Sequence, residues 1–346
     1  MTTQATVESF LTAVPKVELH LHLVGSASPA TVAELARRAP GTDVPTGEDE
    51  LAELFSFRDF PHFIEVYKRV NDLVTTAEDV AIVVEGAARD LAAQRVSYAE
   101  MTVTPYMQGL AGLPYAELLV GLAEGRSRAA ALGVEMAWIF DIPGQYGDEG
   151  TRDTLACALD DPPDGLVALG LAGAEAGIDR ASFAPAFAAA RAAGLPGVPH
   201  AGEGDGPASV WAAIRHLEPV RIGHGVRAVE DPELVAHLAE TGLPLEVCPT
   251  SNVCTRVAPS IAEHQVGTLL DAGVVVTINT DDPPMFSTTL TEEYRRVAGA
   301  FGLGVEELAG LVANAVEASF LPDGRKAELL DEVAAVRDRH AGPLLD

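Results

Sequence analysis

Short runs of β-branched and apolar residues recur along the chain and alternate with longer Ala- and Leu-rich stretches in which apolar positions return every three or four residues. The first pattern fits buried strands and the second fits helices with one apolar face. Eight strands are predicted, at 17–22, 97–103, 134–141, 166–171, 197–200, 220–223, 244–247 and 274–279. Helical spacing is clearest at 76–94, 114–132, 149–160, 182–193, 206–217, 231–241 and 260–272, which puts one helix after each strand from the second to the seventh.

Eight alternating units predict an α/β fold, a closed (β/α)8 TIM-type barrel. Helical pieces at 29–39, 50–55 and 59–71 form an insertion after the first strand, and extra helices at 289–302, 304–319 and 323–340 follow the eighth. No Ser- or Pro-rich linker cuts the chain, so residues 1–346 read as a single domain. An open parallel sheet is the alternative from pattern alone, and the polar positions bear on that choice.

Composition narrows the partners. With 48% hydrophobic residues, 32 Gly and 23 Pro spread along the chain, the sequence is that of a globular protein without low-complexity tracts. Its net charge of −28 repels phosphate backbones and anionic membrane surfaces, so neither nucleic acid nor membrane is an expected partner. The segment MTTQATVESFLTAVPK lacks the features of a signal peptide, and no apolar run is long enough to span a bilayer, which points to the cytoplasm. Cys157, Cys248 and Cys254 are odd in number and lack C-x-x-C spacing, so they read as free thiols. Nothing in the sequence fixes the oligomeric state.

The chemistry gathers at strand ends. The first strand closes in "VELHLHL", where His20 and His22 share one face because side chains alternate with a period of two. Such a pair suits one metal ion, or equally two core histidines satisfied by hydrogen bonds. The fifth strand leads into "PHAGEGDG" with His200 and Glu203, the sixth into "RIGHG" with His224, and the eighth into "NTDDPP" with Asp281 and Asp282. Taken singly, the aspartates could be a turn cap before Pro283 and "HAG" a tight turn. Taken together, these groups fall at the C-terminal ends of parallel strands, the face where barrels of this kind build active sites. His20, His22, His200 and Asp281 make a nitrogen and oxygen donor set suited to zinc.

"PKVELHLHL", "HAGE", "RIGHG", "CPTSN" and "NTDDP" occur in the order found in the adenosine deaminase family of the metal-dependent amidohydrolases, and the chain resembles that family over residues 15 to 283. The resemblance implies one Zn2+ per chain on His20, His22, His200 and Asp281. It implies a zinc-dependent hydrolytic deaminase that replaces the 6-amino group of a purine nucleoside by oxygen, releasing ammonia and an inosine-type product. Glu203 would protonate ring N1, and His224 would orient the attacking oxygen and assist its deprotonation. Asp282 would bond that oxygen or ring N7, and the Gly173 backbone would approach ring N3. The Phe-rich stretch "FSFRDFPHF", with Phe57, Phe60 and Phe63, resembles the family's helical lid, although phenylalanines three apart also suit the core face of a helix.

Two departures bear on the substrate. Adenosine deaminases that resemble this chain carry Asp where Val24 stands, against the ribose 5′-hydroxyl, and adenine deaminases carry Glu. Val24 can accept no hydrogen bond, so a 5′-modified nucleoside such as aminodeoxyfutalosine or methylthioadenosine fits better, with adenosine close behind. The family's "LAGDE" is "LAGAE" here, with Ala174 replacing an acid and Glu175 retained. Adenine deaminase, or another metal-dependent hydrolase on the same barrel, is the alternative.

Overall fold

A computed structural model of the chain describes residues 4–58 and 60–341, with Phe60 and Pro61 described in backbone only. Eight parallel strands run in sequence order around one sheet: β1 (Lys16–His22), β2 (Val96–Val103), β3 (Glu135–Pro143), β4 (Leu166–Ala172), β5 (Gly197–Ala201), β6 (Ile222–His224), β7 (Leu245–Val247) and β8 (Val276–Ile278). The ring returns to its start just beyond β8, where the Asp281 N–H donates to His20 O at 2.9 Å and the His22 N–H donates to Asp281 O at 3.0 Å. The barrel is therefore the fold, and the open sheet is not.

Alternation along each strand sorts the side chains. On β1 a bulge between Glu18 and Leu21 interrupts the alternation: Val17 and Leu19 pack with Tyr98, Ala137, Ala315 and Val316, Glu18 accepts from Thr280 Oγ1 at 2.8 Å, and beyond the bulge His20 and His22 share one face. On β3, Trp138, Phe140 and Ile142 join the main apolar cluster under the helices, and Ala137, Ile139 and Asp141 point the other way. Apolar contact with the surrounding helices holds the strands, and the interior holds a smaller apolar cluster, Ile139, Ala168 and Val198 against Phe320, beside its polar groups.

At the closed end of the barrel those polar groups form one buried network. Arg221, just before β6, bonds Glu100 of β2 and, at 2.5 Å, Glu246 of β7. The segment after helix Val305–Ala318 plugs this end: Ala318 O accepts from Arg221, the Phe320 N–H donates to Glu100 Oε1, and the Phe320 ring lies 4.3 Å from the guanidinium.

Between β1 and helix Ala77–Ala93 come helices Pro29–Arg38, Glu48–Leu54 and Phe60–Asn71, the expected insertion. It lies against the loop after β8 through aromatic rings: Phe63 is 5.0 Å and Phe57 6.4 Å from Phe286, with 5.3 Å between Phe57 and Phe63. Phe57 and Phe63 thus serve both as core face and as seam with the barrel mouth.

Two sequence expectations are corrected. The predicted helix 260–272 is a short turn, Ile261–Glu263, and a separate helix, Val266–Asp271, because His264 takes an extended conformation between them. The predicted strands 220–223, 244–247 and 274–279 are three-residue strands, and additional helices occur at Gln4–Ala13, Pro105–Leu110 and Pro249–Cys254. No helix among the described residues is long and apolar enough to cross a membrane.

Candidate active site

The strand-end groups picked out in the sequence meet at the open end of the barrel. Ring centroids of His20 lie 5.4 Å from His22, 4.6 Å from His200 and 4.8 Å from His224. Asp281 comes from the junction where the ring closes, and its Oδ1 stands 3.1 Å from His22 Nε2 and 3.6 Å from His20 Nε2. One nitrogen each from His20, His22 and His200 lie within 4.8 Å of one another. Gly223 permits the packing, because a Cβ there would sit 3.0 Å from His20 Cε1 and 3.2 Å from His200 Cγ.

Several of these atoms are buried without a hydrogen-bond partner among the described residues: His20 Nε2, His200 Nδ1, both carboxylate oxygens of Asp141, and Asp282 Oδ1. Isolated donors and acceptors cost about 1–3 kcal/mol each when buried, so a cluster of them at one point fits a bound cation that would satisfy them. Two imidazole nitrogens and carboxylates also have the hardness that a zinc ion takes. The residues therefore fit a divalent metal.

An outer ring of partners holds these groups. His20 Nδ1 lies 2.9 Å from Glu246 Oε2, which fixes the ring so that Nε2 faces the site. Ser251, on the short helix Pro249–Cys254, donates to Asp281 Oδ2 at 2.6 Å, and its neighbour Asn252 lies 3.2 Å from His224 Nδ1. Cys248 is buried, with its Sγ within 4.8 Å of nitrogens of His20 and His224. Glu246, Ser251, Asn252, Cys248 and Asp141 escaped the sequence reading. The sequence signal for three of them is "CPTSN", which holds Cys248, Ser251 and Asn252.

Glu203 stands in the loop after β5, its Oε2 3.7 Å from His224 Nε2. Glu175 secures that loop by accepting from the backbone N–H groups of Glu203, at 3.1 Å, and Asp205, at 2.8 Å. Burial, reinforced by the charges of Asp281 and Glu175, pushes the Glu203 carboxyl up to about 8. Burial and the Asp281 charge also push Asp282 up to about 8. His224 goes the other way: burial, followed by the neighbouring His20, lowers it to about 3.

Two of these residues carry backbone strain. His224 has φ 59° and Asp281 φ 66°, the left-handed region that costs a side-chain-bearing residue roughly 1–3 kcal/mol and is concentrated at functional sites.

The remaining sequence-predicted residues fare differently. Gly173 has φ +100°, a conformation that favours glycine, and the Gln145 amide lies close over it, 2.1 Å from where a Cβ would stand. Val24 is buried in the main apolar cluster with Leu21, Leu23 and Ala27, two residues past His22. Phe60 opens helix Phe60–Asn71, and its side chain lies outside what the structure describes. Beside the aromatic seam a cavity of about 190 Å³ is lined by Phe55, Phe57, Phe63 and Phe286 together with Arg58 and Arg256. Thr255, also on its wall, lies 3.4 Å from Glu203 Oε1, so the cavity adjoins the reacting groups.

Comparison with known proteins gives a consistent result. A family model described as adenosine deaminase matches residues 15–336. An aminodeoxyfutalosine deaminase of Streptomyces avermitilis is 49% identical over 330 residues, 94% of this chain and 92% of its own length. An adenine deaminase structure from Arthrobacter aurescens superposes with a TM-score of 0.88 at 30% identity, covering 93% of this chain and 99% of that one. An amidohydrolase structure from Burkholderia ambifaria with bound Zn superposes with a TM-score of 0.88 at 26% identity, covering 99% and 96%.

Proposed function

Because the chain belongs to the adenosine deaminase family and is a hydrolytic deaminase, we propose that it acts on a 6-aminopurine nucleoside with a substituent at the 5′ end, aminodeoxyfutalosine foremost. We read residues 1–346 as one cytoplasmic barrel domain with one zinc ion per chain. The observation that carries the reaction class is the cluster of buried, unpartnered nitrogens and carboxylate oxygens at the open end of the barrel. The name of the S. avermitilis relative supports the substrate, as does the site's own chemistry.

His20, His22, His200 and Asp281 would hold the ion, which supplies, when bound, a Lewis acid that lowers the pKa of a water toward neutrality. The chain's own groups do the rest. Glu203, protonated at neutral pH, donates to ring N1 as the oxygen adds at C6. His224 orients the attacking oxygen, and Asp282 bonds either that oxygen or ring N7. Gly173 leaves the backbone open to the purine edge, and Ser251 keeps Asp281 turned toward the histidines. The 6-amino group leaves as ammonia and oxygen takes its place.

At the 5′ end the buried, apolar Val24 offers no acceptor for a free hydroxyl. The aromatic cavity carries two guanidiniums, Arg58 and Arg256, neither with a carboxylate partner among the described residues, in a chain of net charge −28. It favours a long 5′ group with an aromatic or anionic end, and free adenine, the substrate in the name of the A. aurescens neighbour, has no 5′ group to put there.

The test is the ultraviolet absorbance change on incubating zinc-loaded protein with aminodeoxyfutalosine, methylthioadenosine, adenosine and adenine. The 5′-substituted nucleosides should show the highest kcat/KM, and Val24→Asp should shift the preference toward adenosine by roughly tenfold, the worth of one hydrogen bond. A preference for adenine, or no deamination of any compound, defeats the reading.

A further inference from the structure

Asn252 is one link in a chain of contacts that leads away from the site. His264 Nε2 lies 3.1 Å from Asn252 Oδ1, and His264 Nδ1 accepts the backbone N–H of Val266 at 3.0 Å. Asn252, His264 and His224 are all buried, so no exchange with bulk solvent scrambles these roles.

The backbone N–H of Val266 can only donate, and this sets the direction of every bond after it. His264 Nδ1 must accept, so the neutral ring carries its proton on Nε2. Burial pushes His264 down to about 4, which keeps the ring neutral. Its Nε2–H then donates to the Asn252 carbonyl oxygen, which turns the amide nitrogen toward His224. That nitrogen donates to His224 Nδ1 at 3.2 Å, and the His224 proton is left on Nε2. A proton on Nδ1 instead would set two donors against each other. Nε2 is the atom that faces the site, 3.7 Å from Glu203 Oε2 and 3.9 Å from Asp281 Oδ2.

We propose that His264 and Asn252 are positioning residues that lock His224 in the tautomer protonated on Nε2, so that it meets the attacking oxygen as a hydrogen-bond donor. The tautomer follows from the contacts alone, while its effect on the reaction rests on the deaminase reading above. In this form the ring directs no lone pair into the site. Of the two tasks that the resemblance implies for His224, orienting the oxygen suits this tautomer and removing its proton does not.

The direct readout is the 15N shift of the His224 ring nitrogens in histidine-labelled protein, metal-free and zinc-loaded, which separates a bare from a protonated nitrogen without turnover. The wild-type protein should show bare Nδ1 and protonated Nε2. Asn252→Asp is nearly isosteric but replaces the donor by an acceptor, so it should reverse the tautomer and lower kcat about 10- to 100-fold with little change in KM. His264→Gln can offer an amide nitrogen where Nε2 stands, and should keep the tautomer and most of kcat. A wild-type ring protonated on Nδ1, or a reversed tautomer with undiminished kcat, overturns the proposal. The wild-type spectrum decides the tautomer even if a variant does not fold. A protonated Nε2 in a protein that deaminates nothing would support the lock and overturn the deaminase reading instead.

Discussion

Glu203 works through its surroundings more than through its own chemistry. An exposed glutamate is ionised at neutral pH and could not protonate a purine ring, whereas this one is pushed up to about 8 by burial and by the charges of Asp281 and Glu175. Glutamine in its place keeps the shape and has no acidic proton. Glu203→Gln should therefore lower kcat about 10²- to 10⁴-fold, the range for a lost general acid. The zinc content, measured by atomic absorption, should stay at the wild-type level. Activity that survives the change, or zinc that is lost with it, would remove Glu203 from the role of acid. The acid form also sets the direction of the pH profile: kcat falls as pH rises through the Glu203 pKa.

The strand is the element that made this site legible. A two-residue period aims His20 and His22 at one point, and polar residues at the ends of β5, β6 and β8 mark the same face in the sequence. What stayed hidden was the outer ring. Glu246 and Glu100 are single acids inside apolar strands, and Asn252 and His264 lie on a short helix and in an extended link, where one sequence position carries no sign of its partner. Arg221 shows the energetic side of this, because it is buried against Glu100 and Glu246, and Glu246 in turn orients His20. Arg221→Leu leaves two buried carboxylates without their cation, and should cost about 3–5 kcal/mol in urea unfolding. It should also weaken zinc binding through the freed His20 ring. Stability within about 0.5 kcal/mol of wild type, the range of an ordinary surface substitution, would mean that the network is dispensable.

The whole molecule carries a net charge of −28 and gathers several buried carboxyl groups around one point, so its stability should depend on pH and on the ion together. Burial raises Glu18, Glu203 and Asp282 to about 8 and Asp141 to about 7, with the Asp281 charge adding to the rise at Glu203 and Asp282 and the His22 and His20 charges opposing it at Asp141. Between pH 6.5 and 8 the folded chain holds protons on these four groups that the unfolded chain has already released. The slope of stability against pH follows the protons bound by the unfolded state minus those bound by the folded state, so each group contributes stability that is lost as pH rises. Lys16, pushed down to about 7, acts in the opposite sense, but it is one group against four. His200, His224 and His264, all lowered, also oppose the fall until the unfolded histidines have lost their protons just above pH 6.5, while His20 and His22, both raised, add to it. The metal-free protein should therefore lose thermal stability steadily from pH 6.5 to 8. Zinc binds the carboxylate form and neutral imidazoles, competing with protons, so the gain in Tm on adding zinc should grow over the same range. Thermal melts of chelator-treated and zinc-loaded protein at half-unit pH steps measure both slopes. A metal-free Tm that is flat or rising from pH 6.5 to 8 would mean that these carboxyl groups are ionised in the fold and that something other than a proton or a metal ion balances them.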